Sequence, residues 1–537
     1  MTSPAAEPSA WSPLRIPIYR RLWAASLASN IGTWMQNVAA VWLMTSLTTS
    51  TTLVALVQSA TALPMLVLAV FAGALADVAD RRRLIIATQV FSTLVAALLG
   101  LLALLGLVTP WSLLGLTAAL GLGAALYVPA SQAINPELVP REELPAAVAL
   151  GGVSMNGARA VGPALGGALV AAAGPGVVFL VNAASFLGVA GAAWSWRREA
   201  KPTTLPAERL LGAIRAGLRY ARHAPELRAV MLRAGAFIVA GSATMALLPI
   251  VARRHLELGA LGYGALLGCI GAGAVLGAAL MPRLRRALGL DGLVIAGTLG
   301  FAAGTAGVGL AVRLEGHLAL GVTVPALLAT GLSWITTLAS FNTAAQTCVP
   351  AWVRGRALGL YLTVFQGGMA LASAGWGALA ERTEAPTALL VAAGTLVASC
   401  LTALRWPLRS TDADLQPSLH WPEPQRALPA EPARGPVMVS IEYEVASADA
   451  AGFLAALREL EQVRRRDGAT SWAVFRDAER PEVFVETFLV ESWEEHLRQH
   501  ARVSNADLAM ETRVKSLHRG AAPPRVRHLL SAEGGAP

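Results

Sequence analysis

Apolar positions run almost without interruption from Leu22 to Ala76 and again from Leu84 to Pro136, and the seven residues between them, Asp77 to Arg83, carry five charges. Neither run contains an acidic or basic residue, and each is long enough for two helical spans of about 20 residues. The same division by turn and charge signals, carried along the chain, predicts twelve spans, at 22–46, 52–76, 84–107, 111–134, 145–172, 176–196, 231–252, 260–281, 292–312, 318–347, 357–380 and 386–404. The breaks carry turn chemistry: a Thr- and Ser-rich stretch after the first span, Thr109-Pro110, and Ala173 to Gly176. The first thirteen residues lack a basic stretch followed by an apolar core, so no cleaved leader is expected and the first span is retained.

Composition agrees, because 14% of the 537 residues are charged and 55% are hydrophobic, where a soluble protein carries about a quarter charged. The chain reads as a polytopic membrane protein. Its basic residues also orient it: twenty-three Lys and Arg fall in connections on the face shared with the N-terminus and four on the other. Cytoplasmic loops accumulate such charge, which places both termini in the cytoplasm and the chain in the inner membrane. The net charge of +9 is thus a topology signal, and no nucleic-acid partner is expected. Cys269, Cys348 and Cys400 lie in apolar surroundings and form no disulfide or metal pattern.

The two halves of the apolar region echo each other. Gly73, Arg81, Arg82 and Leu84 meet Gly277, Arg285, Arg286 and Leu288 at an offset of 204, and Gln132, Pro136 and Val139 meet Gln346, Pro350 and Val353 at 214. Two repeated six-span halves are the architecture of the major facilitator superfamily. The expected fold is therefore all-α, with twelve transmembrane helices in halves 1–196 and 231–408. They are joined by a cytoplasmic segment, 197–230, whose Leu211, Ile214 and Leu218 stripe predicts an amphipathic helix on the membrane surface.

"GALADVADRRRL" resembles the loop signature of that superfamily between its second and third helices: Gly73, Leu75, Ala76, Asp77, Arg81 and Arg82 match, while Val78 and Asp80 depart from it. The resemblance implies that the aspartate and basic residues pair across a cytoplasmic seam, so that Gly73, Asp77, Arg81 and Arg82, with Gly277, Arg285 and Arg286, gate the conformational change. The plainer reading makes these arginines topology anchors. "YRRLWAASLASNIGTWMQNVAAVWLM", "PASQAINPELVPREELPAAVAL" and "MNGARAVGPALGGAL" are similar to the enterobactin exporter and transmembrane secretion effector branch, over residues 14–408. Gly162, Pro163, Gly166 and Gly167 resemble its fifth-helix exporter motif, and serve equally as ordinary close-packing residues. The resemblance implies secondary active export of siderophores, secondary metabolites or amphipathic drugs by alternating access, with the proton as coupling ion. No acidic residue inside a span stands out as a proton carrier; Asp77, Asp80, Glu137 and Glu381 sit near the interfaces.

Polar side chains inside a bilayer usually face the bundle interior, which makes Asn30, Trp34, Asn37, Gln58, Asn156, Arg159, Asn342 and Gln346 candidates for the substrate path. Hydrogen bonding between helices is the competing role. Arg159 is the single charge between Leu144 and Trp196. Three roles are open to it: donor to carbonyls freed near Pro163, counter-ion to an anionic substrate, or a lipid-facing boundary residue.

After Arg409 a Pro-rich linker, 409–436, leads to a soluble segment, 437–531. "VMVSIEYEV" alternates as a strand, Phe453, Leu457 and Leu460 stripe a helix, and "ATSWAVFRD" and "EVFVETFLV" form a hairpin. A capping box at Ser492–Glu495 opens a second helix and "VRHLLS" gives a last strand, completing a split βαββαβ pattern. It resembles the dimeric ferredoxin-like domains of the antibiotic-biosynthesis monooxygenase group, which implies dimerisation. His496 and His500 share a helix face that reads as solvated, and no metal or cofactor is expected. No Ser-His-Asp set, phosphate loop or metal spacing points to an enzyme. A non-transporting signalling or scaffold protein acting through its tail is the alternative to a transporter.

Overall fold

The computed structural model describes residues 11–78, 80–196, 210–350, 352–408, 414–421 and 435–531, with side chains described at all of these except 69–78, 133, 136, 141 and 210–216. Thirteen helices are described before the linker: α1 (Pro17–Leu47), α2 (Thr51–Val78), α3 (Arg81–Leu104), α4 (Pro110–Ala133), a short α5 (Asn135–Leu138), α6 (Leu144–Trp194), α7 (Leu210–His223), α8 (Pro225–Ile250), α9 (Ala260–Ala311), α10 (Gly316–Thr347), α11 (Arg354–Thr383), α12 (Ala385–Ser399) and a short α13 (Thr402–Arg405). α6 and α9 each turn at a glycine with positive φ, Gly174 at 80° and Gly289 at 66°. A glycine lacks the Cβ that disfavours this backbone, so a tight turn forms there. Each arm of these two helices holds one predicted span, and every predicted span falls on a helical segment.

Nine helices among the described residues are long and apolar enough to cross a membrane, with α6 and α9 counted once each. α1 is not among the nine, although it is 31 residues long. Asn30, Thr33, Gln36 and Asn37 lower its hydropathy. Helix starts follow local chemistry: the Asp80 carboxylate accepts the Arg83 N–H at 2.9 Å, and Thr109 forms a capping box with Ser112 ahead of Pro110. Small residues then let helices meet. A Cβ on Gly166 would lie 2.7 Å from the Met35 backbone of α1, and one on Gly273 would strike the Leu328 carbonyl of α10.

The chain divides into two compact units. The first comprises residues 1–206, 232–341 and 362–407, and the second 207–231, 342–361 and 408–537. In the first, Met35, Val38, Met44, Leu99, Leu113, Phe179, Leu247 and Leu266 belong to one buried core.

The second unit contains β1 (Val437–Glu444), α14 (Ala450–Asp467), β2 (Ala469–Arg476), β3 (Val483–Val490), α15 (Trp493–Arg502), α16 (Asn505–Lys515) and β4 (Arg525–Leu530). The strands form one antiparallel sheet in the order β2-β3-β1-β4, with Val439 opposite Phe488 and Ile441 opposite Glu486. Val437, Val439, Ile441 and Tyr443 alternate onto the buried face, and all but the first share a core with Phe453, Leu457 and Leu460 of α14. The predicted second helix is two helices. Ser504 breaks it by capping α16 in a box with Asp507.

One face of α7 packs on protein: Tyr220, Ala221 and Ala224 are buried in a cluster with Val349, Val353 and Ala357. Tyr220 meets Trp352 edge-on at 5.8 Å and carries the Arg466 guanidinium over its ring at 5.7 Å, while Arg219 pairs with Glu495 at 2.8 Å. These buried residues are not the predicted stripe: Leu218 is exposed, and Leu211 and Ile214 lie outside the described side chains. The compact unit that holds the sheet also takes in residues 207–231 and 342–361.

Candidate functional site: a bonded seam and a half-buried arginine

The charged stretch between α2 and α3 is built from within one half of the first unit. The side chains of Gly73 and Asp77 lie outside the described residues. Arg81 pairs with Glu137 of α5 at 3.0 Å. Arg82 donates to the Ala193 and Trp194 carbonyls at 3.0 and 2.6 Å and lies 5.8 Å from the Trp194 ring. A cation on the last carbonyls of a helix meets the negative end of its dipole. Arg81 and Arg82 thus each have a partner inside the first half. The echoing residues behave similarly. Arg286 returns to the Pro282 carbonyl of its own helix, Arg285 is exposed, and Gly277 lets α9 approach the Leu332 carbonyl of α10.

At the other end of these helices, the turn between α1 and α2 bonds to the second half. Arg253 donates to Thr45 at 2.9 Å and lies over Trp42, and Arg254 donates to the Thr49 carbonyl. Glu381 of α11 accepts from Ser50 at 3.2 Å and from the hydroxyl and N–H of Thr52. Thr51 reaches the Gly377 carbonyl at 3.0 Å, and Gly377 itself sits where a Cβ would meet Ala55. Further along α2, Gln58 donates to the Met369 sulfur at 3.3 Å.

α6 links both sides of this seam. Gly162 faces Trp34 and Gly166 faces Met35, both on α1. Gly167 turns to α9, where a Cβ would lie 2.7 Å from the Ala260 carbonyl and from the Gly264 Cα; Pro163 is buried, with its carbonyl 2.9 Å from a Cβ placed on Gly264. Close approach of backbones is what small residues permit in a membrane.

Arg159 lies one turn before this crossing, half-buried, with its guanidinium 5.3 Å from the Trp34 ring. Its Nε is buried with no hydrogen-bond partner, and among the described residues no ion pair includes it. Asn30 donates to Ser154 at 3.0 Å, so it links α1 to α6. Asn156 bonds the Gly152 carbonyl on its own helix and is exposed, and Asn37 is half-buried. Asn342 and Gln346 belong to the second unit, where they bond each other at 3.0 Å. Gln36 and the fully buried Asn182 pair at 2.7 Å as a helix-to-helix link.

The second unit holds a different polar cluster. Arg464 bridges Glu486 at 3.2 Å and Glu511 at 2.6 Å, and Glu486 also accepts from Tyr443 and Trp472. His496, expected on a solvated face, is 1% exposed and packs against His500 and His528. Burial, with His528 and His500 nearby, pushes its imidazolium down to about 3 from 6.5. Burial opposes ionisation of Glu511, but Arg464 and hydrogen bonds from His420 and Trp421 outweigh it and hold the carboxyl at about 2 against 4.5. Both folded values are depressed, so on acidification the unfolded chain takes up these protons first and stability is lost. His496 acts as pH falls from 6.5 toward 3, and Glu511 as it falls from 4.5 toward 2. The melting temperature of the tail is expected to drop steadily between pH 7 and pH 4, by about 4–8 °C per kcal/mol lost in a domain of this size. Thermal scans of the whole chain at both pH values check this, and an unchanged tail transition would mean that water reaches these groups.

A model of the transmembrane secretion effector family matches residues 8–535. An uncharacterized MFS-type transporter of Bacillus subtilis strain 168, YfiS, is 28% identical over 391 residues, covering 70% of this chain and 90% of that protein. Among solved structures, a bacterial homologue of the iron transporter ferroportin in an inward-facing state is 17% identical, covers 73% of this chain and 99% of its own, and superposes with a TM-score of 0.57. A POT family transporter in complex with a thioalcohol-conjugated peptide gives 0.59 at 11% identity, over 72% and 95% of the two chains. A bacterial homologue of the human lysosomal transporter Spinster, inward-facing and unoccupied, gives 0.56 at 14% identity, over 75% and 99%.

Proposed function

This chain belongs to the transmembrane secretion effector family of MFS-type membrane transporters, and on that premise we propose that it is a secondary active exporter working by alternating access. The observation that carries the reading is the bonded seam at the α1–α2 turn. Among the described residues, hydrogen bonds at Thr45, Ser50, Thr51 and Thr52 join the halves there, and at the opposite end Arg81 and Arg82 each have a partner in their own half. A carrier whose two ends close in turn joins its halves in this way at the closed end. With the basic face cytoplasmic, both termini lie in the cytoplasm, the chain spans the inner membrane twelve times, and the described state opens inward.

In the opposite state, Asp77, Arg81 and Arg82 with Arg285 and Arg286 would close the cytoplasmic end. The cargo is a siderophore, secondary metabolite or amphipathic drug, with anionic and catechol-type molecules favoured by Arg159. Proton coupling follows the family and would use carboxylates near the interfaces, such as Glu381. The tail, read as ferredoxin-like, would dimerise through the sheet face that exposes Phe475 and Leu529.

Flux into sealed inverted vesicles holding the purified protein tests the reading, with a catecholate siderophore and an amphipathic dye as cargo. Movement no faster than in protein-free vesicles would favour the scaffold alternative. Glu381→Gln provides a conformational check. The variant is expected to label several-fold faster at a cysteine placed at Ser59, since the carboxylate that holds Ser50 and Thr52 is gone. Unchanged labelling would make Glu381 incidental to closure.

A further inference from the structure

The first half ties the connection after α4 with an ion pair, Arg81 to Glu137 at 3.0 Å. The repeat carries those two positions to Arg285 and Ala351, at the offsets of 204 and 214, and an alanine offers no carboxylate. The corresponding connection of the second half, between α10 and α11, is gripped from the tail instead. There the Arg502 guanidinium of α15 lies 4.5 Å from the centroid of the Trp352 ring. Two more contacts hold the neighbouring α7: Arg466 of α14 lies over Tyr220 at 5.7 Å, and Glu495 of α15 accepts from Arg219 at 2.8 Å.

This joint is built to part. Beneath it the apolar residues fall into two separate clusters, one holding Tyr220, Val349 and Val353 and the other Phe453, Leu457 and Phe488. Opening the joint therefore exposes charged and aromatic groups and leaves the tail's core closed. The tail's charges also stay matched. Arg502 keeps Glu495 at 2.6 Å and the Asp467 carbonyl at 2.8 Å, and Arg466 keeps Asp467 at 2.9 Å and Asp507 at 2.6 Å. In the docked form Arg219 Nε and Trp352 Nε1 are buried without a hydrogen-bond partner, which opposes docking. A contact this polar resembles a transient interface between domains rather than a shared core.

We propose, on the footing of the alternating-access reading, that the α14–α15 end of the tail is a latch on the second half: docked in the described state, released in the opposite one, and favouring the first by its grip. The gripped segments continue into the first unit, because α8, α10 and α11 each cross the boundary between the units, at 231–232, 341–342 and 361–362. A shift of those helices is thus carried to the joint by unbroken helix. A contact made in one state and absent from the other holds the first by its differential free energy, and such coupling is reciprocal. Whatever prises the tail off should then loosen the bonded α1–α2 turn, and loosening that turn should free the tail.

The test uses the whole chain in detergent with a cysteine at Ser59, whose maleimide labelling is followed by mass spectrometry of that peptide. Arg219→Glu and Trp352→Ala should each speed labelling roughly 5- to 10-fold. Arg222→Glu, the same charge change at an exposed position of α7, should not. In the reciprocal arm, Glu381→Gln should speed hydrogen exchange across 217–223 by a similar factor. The thermal transition of the tail should stay in place in both joint variants, since its carboxylates keep Arg466 and Arg502. If that transition fell in both, the joint would be part of the tail's core and no latch. If Glu381→Gln quickened labelling while the joint variants did not, or while exchange across 217–223 stayed the same, the latch would be overturned and the alternating-access reading spared. An equal effect of Arg222→Glu would trace the shift to charge alone and overturn it as well. Labelling unmoved by Glu381→Gln and by the joint variants would take away the two-state premise, and the latch with it.

Discussion

Arg159→Gln is expected to slow transport of anionic cargo roughly 10- to 100-fold in sealed vesicles, while cationic dyes continue to move. A central arginine costs about 2.5–3.5 kcal/mol to insert, and this one has no ion-pair partner among the described residues to offset that cost. The Trp34 ring supports its guanidinium on one side, and its Nε has no acceptor, so a carboxylate or catecholate would supply the charge-assisted bonds the protein does not. Such bonds are worth about 1.5–3 kcal/mol, which sets the size of the effect. Arg159→Lys should retain part of the activity, since it keeps the charge and loses the planar fork. If Arg159→Gln moved anions and cations at unaltered relative rates while correctly inserted, the residue would be a structural donor near Pro163 and the cargo preference would fall.

Arg464→Met is expected to have the largest effect on stability, about 3–5 kcal/mol, because it leaves Glu486 and Glu511 buried without their shared cation. The tail transition of the whole chain should fall by 15 °C or more. Adding Glu486→Gln and Glu511→Gln to the variant should recover much of the loss, since the stranded charges are then removed. A single-variant loss under about 1 kcal/mol would mean that water or movement of the side chains satisfies the carboxylates and that the cluster is not dry.

Long apolar runs made the membrane helices legible, because a span needs about 20 such residues and few turns can interrupt it. Gly174 was visible in the Ala173–Gly176 turn, and the β1 alternation displayed its buried face directly. Contacts between distant segments were not legible. The stripe of Leu211, Ile214 and Leu218 did not point to Tyr220, which is buried on another face of α7 against Trp352 and Arg466. Arg82 looked like one of three equivalent anchors, and its contact with the carbonyls ending α6 spans more than a hundred residues. α16 carries too thin an apolar stripe to separate it from α15. His528 sits on a strand that hides its meeting with His496 and His500.

The three-part make-up of the second unit bears on recombination between relatives. A chimera cut at the Pro-rich linker would bring a foreign tail to an Arg219 that needs Glu495, a Tyr220 that needs Arg466, and a Trp352 that lies 4.5 Å under Arg502. Residues 207–231, 342–361 and 408–537 therefore have to be exchanged as one block, although two of these segments are embedded in the membrane half of the sequence. Substitutions in the tail surface and in the two embedded segments are expected to be inherited together, and a tail transplanted alone should express as a folded carrier bearing a loose appendage.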